Sequence, residues 1–417
     1  EAGEQELLKL IERGHECFRR ADYQGALAAW TEACAIREAT LGPEDPATAR
    51  LLNAIGNAHN KLCQDQQALD FYTRALAIRE RVLGADHADT ARSLCNCGIM
   101  HHKLGRLQTA MQCHSRALKI AEGNRGLGSE HPEAARTLCD MGDVYDDSAK
   151  YQQAMSCYKR AIAVQGKTLG SHHPDVARAY VGMGNVHSHR AAYARAGECY
   201  ERALTIQERT LGREHPATAV TLSNQGLVAQ RLGQKQRAVQ LHERALEVHR
   251  KNKRFSEDHP DVVRTLSHLG QAHEARGDLE RALKCHQEAY ELRQRTLGLE
   301  HADTAFSMGR LGAVYRRKGN LNKAMEYSHL CLAMTEQALG KEHVGTAIAA
   351  HNLGCVLMRL RELQMAMEAF GRAVAVLEAS KAELGGAAHP FLARARESVR
   401  LCSAALEREG ADAAASP

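Results

Sequence analysis

The sequence predicts an all-α fold, a solenoid of nine helix pairs closed by a C-terminal capping helix. Three observations predict it. A glycine recurs at Gly14, Gly56, Gly98, Gly142, Gly184, Gly226, Gly270, Gly312 and Gly354, every 42 or 44 residues. A small residue follows 12 and 19 positions later in every repeat: Ala26 and Ala33, Ala68 and Ala75, and so on to Ala366 and Ala373, with Cys331 the one non-alanine. The repeats are joined by a linker that reads Leu-Gly-x-x-His, as in Leu83-Gly84 to His87. Self-similarity at such a period marks an array in which each unit buries its apolar face against the next.

Each repeat can be justified in order. The glycine lies on a first helix and the two small residues on a second, so that the two helices approach closely, to roughly 8 Å. Between them lies a short turn, holding Gly105, Gly233, Gly277 or Gly319 in four repeats, where a left-handed residue ends the first helix. The second helix ends at the Leu-Gly step. The next opens on His87, His131, His173, His215, His259, His301, His343 or His389, followed by proline in five cases, and proline suits the first helical turn. In the first linker Asp45 replaces the histidine. Aspartate is a strong N-cap, so this site is expected to be a polar cap and not a ligand. The nine repeats are expected over 5–388, the capping helix over 389–410, and a disordered tail over 411–417. The extra residues around Asn124-Arg125 and Lys251–Ser256 are expected in surface loops.

Composition narrows the function classes. With 417 residues, the chain exceeds one ordinary compact domain, a limit that a linear array escapes. A net charge of +5 is too slight to mark a nucleic-acid binder. No run of eighteen apolar residues occurs, so no spanning helix and no membrane association are expected. The acidic, polar start Glu1-Ala2-Gly3-Glu4-Gln5 predicts no signal peptide. Thirteen cysteines without a CxxC pair fit reduced thiols in the cytoplasm better than a disulfide framework.

The glycine–alanine–alanine spacing is the tetratricopeptide (TPR) pattern. The 42-residue period and the Leu-Gly-x-x-His-Pro linker resemble the repeats of kinesin light chains and their relatives, from about Gly14 to Ala373. The resemblance implies a TPR-type α–α superhelix, a right-handed solenoid. Eight residues beyond the usual 34 lengthen the helices by about two turns, ~12 Å in total. Kinesin light chains carry fewer repeats, and their heptad segment, which joins the motor heavy chain, is not seen here. The expectation is therefore a relative of their repeat domain and not a motor subunit.

Catalytic and metal chemistry is not expected, nor is any cofactor. No phosphate loop, dinucleotide fingerprint or paired-carboxylate constellation is visible. Fifteen of the 23 histidines follow the repeat, eight of them in the linkers. His59, His101, His187 and His273 stand three after the glycine, where Tyr145 and Tyr315 stand elsewhere. His114, His242 and His286 stand sixteen after it, in the place of Trp30, Tyr72, Tyr158, Tyr200 and Phe370. Equivalent histidines of adjacent repeats would lie about one helix pair apart, too far to share zinc at ~2 Å. Cys113, Cys157, Cys199 and Cys285 share one repeat position too, as small core residues do.

The informative stripe runs along the first helices. Six before the glycine stand Arg50, Arg92, Arg136, Arg178 and Arg264. Two before it stand Asn96, Asp140, Asn224, His268, Arg310 and Asn352. One after it come Asn57, Asp143, Asn185 and Gln271, and five after it Arg19, Lys61, Lys103, Asp147, His189, Arg231, Arg317 and Arg359. These positions share a helix face. In TPR solenoids the first helices line the concave side, which here would carry an amide-rich centre between two basic rails. Amides hold peptide backbone, and arginine forks hold carboxylates. Asparagines matching Asn96, Asn224 and Asn352 line the cargo groove of kinesin light chains, whose ligands are short acidic segments, and the resemblance implies a similar use. The competing reading is a solvated face whose charges pair between repeats, each pair worth little.

The function expected is a non-catalytic scaffold or adaptor in the cytoplasm, holding acidic or extended protein segments, several at once. Two alternatives remain open at this point. One is a structural component of a cytoskeletal or ciliary assembly, with a cytoskeletal partner such as acidic tubulin tails. The other is the sensor arm of a multidomain signalling protein.

Overall fold

The computed structural model describes residues 2–123, 131–252, 258–380 and 391–415, and among them every regular element is an α-helix. Two compact units divide the chain, one up to Val228 and one from Ala229. Unit 1 holds α1 (Ala2–Arg19), α2 (Tyr23–Leu41), α3 (Pro46–Lys61), α4 (Asp65–Leu83), α5 (Ala88–Lys103) and α6 (Leu107–Gly123). It continues with α7 (Pro132–Asp147), α8 (Tyr151–Thr168), α9 (Pro174–His189), α10 (Tyr193–Thr210) and most of α11 (Pro216–Arg231). Unit 2 holds α12 (Lys235–Lys251), α13 (Pro260–Arg276), α14 (Leu279–Leu297), α15 (Ala302–Lys318) and α16 (Leu321–Leu339). It ends with α17 (Val344–Arg359), α18 (Leu363–Ala379) and α19 (Leu392–Ala415). Within each unit a helix packs on its neighbours in sequence, and first helices also meet along one side, as α5 meets α7 and α15 meets α17.

The repeat glycine has a specific reason. In most repeats the ring sixteen residues on, from the second helix of the same pair, packs directly against it. A Cβ on Gly56 would stand 2.7 Å from the Tyr72 ring, one on Gly98 2.6 Å from His114, and one on Gly354 2.7 Å from Phe370. The alanines at +12 and +19 are buried throughout, and Cys331 takes the same buried place. The core is therefore ring on glycine, flanked by alanine, in seven of the nine repeats, while Gly312 meets Ser328 in the ring's place.

The linkers form a repeated cap. His87 Nδ1 accepts from Asp89 N at 3.1 Å, His131 from Glu133 N at 3.2 Å and His259 from Asp261 N at 3.2 Å. Asp45 accepts from Ala47 N at 2.9 Å in the same way, so the histidine is an N-cap. A threonine three residues further on closes the loop, a feature not anticipated from the sequence: Thr90 Oγ1 donates to the Gly84 carbonyl at 2.9 Å and Thr346 Oγ1 to that of Gly340 at 2.7 Å. The inner turn is left-handed in all nine repeats. Glycine serves in four, while Ala21, Cys63, Ala149, Ala191 and Arg361 adopt φ between 55° and 67° in the others.

Consecutive second helices are joined by ion pairs that sequence inspection missed. Glu38 pairs with Arg74 at 2.8 Å, Glu80 with Arg116 at 2.5 Å and Glu336 with Arg372 at 2.5 Å. Glu122 and Arg160 make the same pair. Arg250 and Glu288 make it with the charges exchanged.

Residues 124–130 and 253–257, which include most of both linker insertions, lie outside the described residues, as does His389. The expected capping helix is α19, which packs Leu392, Ala395 and Cys402 against α17 and α18. It begins at Leu392 and runs to Ala415, through much of the stretch expected as a tail. Alanine is the best helix former, and four of residues 411–415 are alanine.

Candidate protein-binding face

In unit 1 the first-helix face is built from α3, α5, α7, α9 and α11. Its amides form rungs between successive repeats. Asn96 Nδ2 donates to Asn53 Oδ1 at 3.3 Å, and Asn224 Nδ2 to Asn185 Oδ1 at 3.3 Å. The acceptors at +1 are fixed from behind by the core rings: Tyr72 donates to Asn57 at 2.7 Å, Tyr158 to Asp143 at 2.5 Å and Tyr200 to Asn185 at 2.7 Å. Lys103 Nζ reaches across to Asn60 at 2.6 Å and Asp65 at 3.3 Å.

The arginine rail is only partly available. Arg92 lies on Asp89 at 3.1 Å, and Arg136 on Glu133 at 3.2 Å and Asp175 at 3.5 Å. Their side chains remain 62% and 49% exposed. Arg50 is exposed and makes no ion pair among the described residues. Arg178 differs. It holds Asp140 at 2.5 Å and Asp143 at 3.0 Å, and the Asp140 side chain is only 4% exposed. Burial alone would lower the guanidinium's proton affinity, but the two carboxylates outweigh it and raise it above the ordinary value. Asp140 thus lies beneath the face and not on it. Asp147 takes His102 at 2.6 Å, and Asp146 takes His189 at 3.0 Å. Between α6 and α7 opens a cleft of about 780 Å³, lined in part by Leu107, Met111, Val144 and Tyr145.

In unit 2 Arg264 pairs with Asp261 at 2.6 Å, within its own helix turn. Arg317 reaches Glu274 at 3.4 Å, whose other oxygen meets His286 Nε2 at 2.9 Å. His268 stands 5.6 Å, ring to ring, from His242. Burial, then the charges of Arg264, Arg293 and Arg310, push its proton affinity down to about 4. Arg310 and Arg231 are exposed, and Asn352 is half-buried. The predicted residues therefore form two local faces, with Asp140 and His268 drawn toward the interior of theirs.

One cluster was not foreseen. Cys95 on α5, His114 on α6 and Asp140 on α7 bring a thiol, an imidazole nitrogen and a carboxylate oxygen within 4.8 Å of one another. Comparing equivalent histidines in adjacent repeats misses it, because the three residues occupy three different repeat positions.

The chain matches the tetratricopeptide repeat family model over residues 10–81, 55–123, 175–251, 261–328 and 307–379, and a second tetratricopeptide repeat model over 134–175. It belongs to the tetratricopeptide repeat family. Among solved structures it is similar to apo RapI, at 15% identity and a TM-score of 0.50 over 69% of this chain and 98% of that one. It is also similar to a putative kinesin light chain from Podosopora anserina with nearly identical TPR-like repeats, at 25% identity and 0.45 over 50% and 99%. BtubC (BKLC) from P. vanneervenii aligns at 19% identity and 0.48 over 56% and 92%. No curated protein matches. Among the described residues no helix is long and apolar enough to cross a membrane. The TPR array makes the chain a protein-interaction scaffold whose partners are proteins.

Proposed function

We propose that the chain is a non-catalytic adaptor that holds extended acidic protein segments along the first-helix face of unit 1. The observation that carries this reading is the state of the basic rail. Arg92 and Arg136 are about half exposed or more and are held only by surface pairs among the described residues, each worth about 0–1 kcal/mol. Arg50 beside them is exposed and has no such pair among the described residues. A partner's carboxylates can take over these guanidiniums at little cost, and bidentate arginine contacts are among the stronger hydrogen bonds. The Asn53–Asn96 rung beside them offers amide groups to a peptide backbone. The cleft between α6 and α7 offers an apolar side chain somewhere to dock. Unit 2, with exposed Arg264, Arg310 and Arg317, offers a second basic face for a second segment.

The test is fluorescence anisotropy with a labelled Glu-rich peptide. Binding is expected to weaken steeply as salt rises, since the Debye length is about 10 Å at 0.1 M. It is expected to disappear in Arg50→Glu/Arg92→Glu/Arg136→Glu with the helical signal intact. Arg178 is left out because it neutralises a buried carboxylate. Unchanged affinity in the triple variant would overturn the reading and leave the face as a set of solvated ion pairs.

A further inference from the structure

We propose that Cys95, His114 and Asp140 form a zinc-type metal site that clamps the third helix pair to the fourth. The donors come from three helices, α5, α6 and α7, and lie within 4.8 Å of one another. Ligands of tetrahedral zinc sit at about 2.0–2.3 Å from the ion and hence roughly 3.3–3.8 Å apart, so small side-chain rotations bring the set to bonding distance. One thiolate, one imidazole and one carboxylate are three of the donor types zinc accepts, leaving the fourth position for water.

His114 is the independent witness. It is 1% exposed, and its Nδ1 has no hydrogen-bond partner. Buried polar atoms are rarely left so. The cause is visible in the repeat. Where the ring at +16 is tyrosine, the residue at +1 is Asn57, Asp143 or Asn185 and accepts the hydroxyl. In the third repeat that residue is Ile99, which offers no acceptor, so the imidazole is left facing the thiol and the carboxylate. Burial lowers the ring's proton affinity, against the pull of Asp140.

The other two donors are compatible with a cation. Thr137 Oγ1 donates to the Glu133 carbonyl at 3.0 Å, so at 3.2 Å it accepts from the Cys95 thiol. Metal binding replaces that thiol proton, which leaves to solvent, and costs one weak S–H bond. Burial, reinforced by Asp140, pushes the Cys95 thiol up to about 12, a cost that the metal–thiolate bond has to offset. Asp140 gives one oxygen to Arg178 and has a second to offer.

The chain supplies its own test substitutions. Ser223 and Ser267 occupy the repeat position of Cys95, Phe370 that of His114, and Asn96, Asn224 and Asn352 that of Asp140. Cys95→Ser, His114→Phe and Asp140→Asn are therefore residues this fold already accepts. The reduced, metal-free full chain is titrated with cobalt(II), then with zinc. The expected result is one cobalt per chain with thiolate-to-cobalt absorption, displaced by one equivalent of zinc. Cys95→Ser should lose that absorption. His114→Phe and Asp140→Asn should each bind at least about tenfold more weakly, as ligand loss exceeds the 10–100-fold typical of outer-shell changes only upward. If the parent gives no thiolate signal, the site does not exist. An equal signal and stoichiometry in all three variants would assign it to other cysteines and equally overturn the proposal.

Discussion

The Arg178 guanidinium on α9 stands 2.5 Å from the Asp140 carboxylate on α7, and that carboxylate is almost wholly enclosed. The pair joins the fourth repeat to the fifth. Removing the arginine leaves a buried charge without its counter-ion.

Arg178→Ala is therefore expected to destabilise the region by about 1–3 kcal/mol, the penalty of an unsatisfied buried acceptor. Hydrogen exchange should show faster opening of α7 and α9. Adding Asp140→Asn should recover part of the loss, because it removes the orphaned charge. Strict additivity of the two changes would contradict the coupling.

Gly56→Ala and Gly312→Ala separate helix propensity from packing. Alanine gains about 1 kcal/mol over glycine inside a helix. At Gly56 the new methyl meets the Tyr72 ring at 2.7 Å, and overpacking costs about 1–3 kcal/mol. At Gly312 the nearest atom is the Ser328 hydroxyl at 2.9 Å, which can rotate away. Thermal melts should show Gly56→Ala destabilised and Gly312→Ala unchanged or improved.

Unit 2 should lose stability in mild acid. Burial pushes His242 down to about 3 and His351 to about 4, from an ordinary 6.5. Between those values the unfolded chain binds protons that the folded chain refuses. The stability these groups contribute is thus full above pH 6.5 and lost as pH falls toward the folded values. Each adds a slope approaching about 1.4 kcal/mol per pH unit. Urea midpoints followed by circular dichroism should fall over that window, and His242→Phe should flatten the fall.

The exchanged pair Arg250–Glu288 predicts a specific rescue. Glu288→Arg alone sets like charges together and should cost up to about 1 kcal/mol. The swap Arg250→Glu/Glu288→Arg should restore most of it in a double-mutant cycle. No recovery would mean that the pair contributes nothing to joining α12 to α14.

Much of this was legible in the sequence because the repeat writes each contact several times. Size alone marks Gly56, Ala68 and Ala75 as the places where helices touch, and Asp45 standing for histidine revealed the linker site as a cap. The binding face was only partly legible. That Arg92 rests on Asp89 while Arg178 is committed to Asp140 depends on side-chain conformation, which residue type does not determine. The ladder of Glu38 with Arg74 was hidden because its partners stand 36 residues apart, short of the 42-residue period along which repeats are compared. The Cys95–His114–Asp140 cluster was hidden for a related reason: its members stand in three separate columns of the repeat, and only the fold brings those columns together.

The five turns at Ala21, Cys63, Ala149, Ala191 and Arg361 leave room for improvement in the array. A side chain in the left-handed region costs on the order of 1–2 kcal/mol, and the same corner is relaxed where Gly105 or Gly233 occupies it. Each corner lies between its two helices and away from the ring-on-glycine contact, so exchanging its residue leaves the packing surfaces as they are. Anyone lengthening these repeats, or adapting them to heat, has five single-codon changes already validated by the neighbouring repeats.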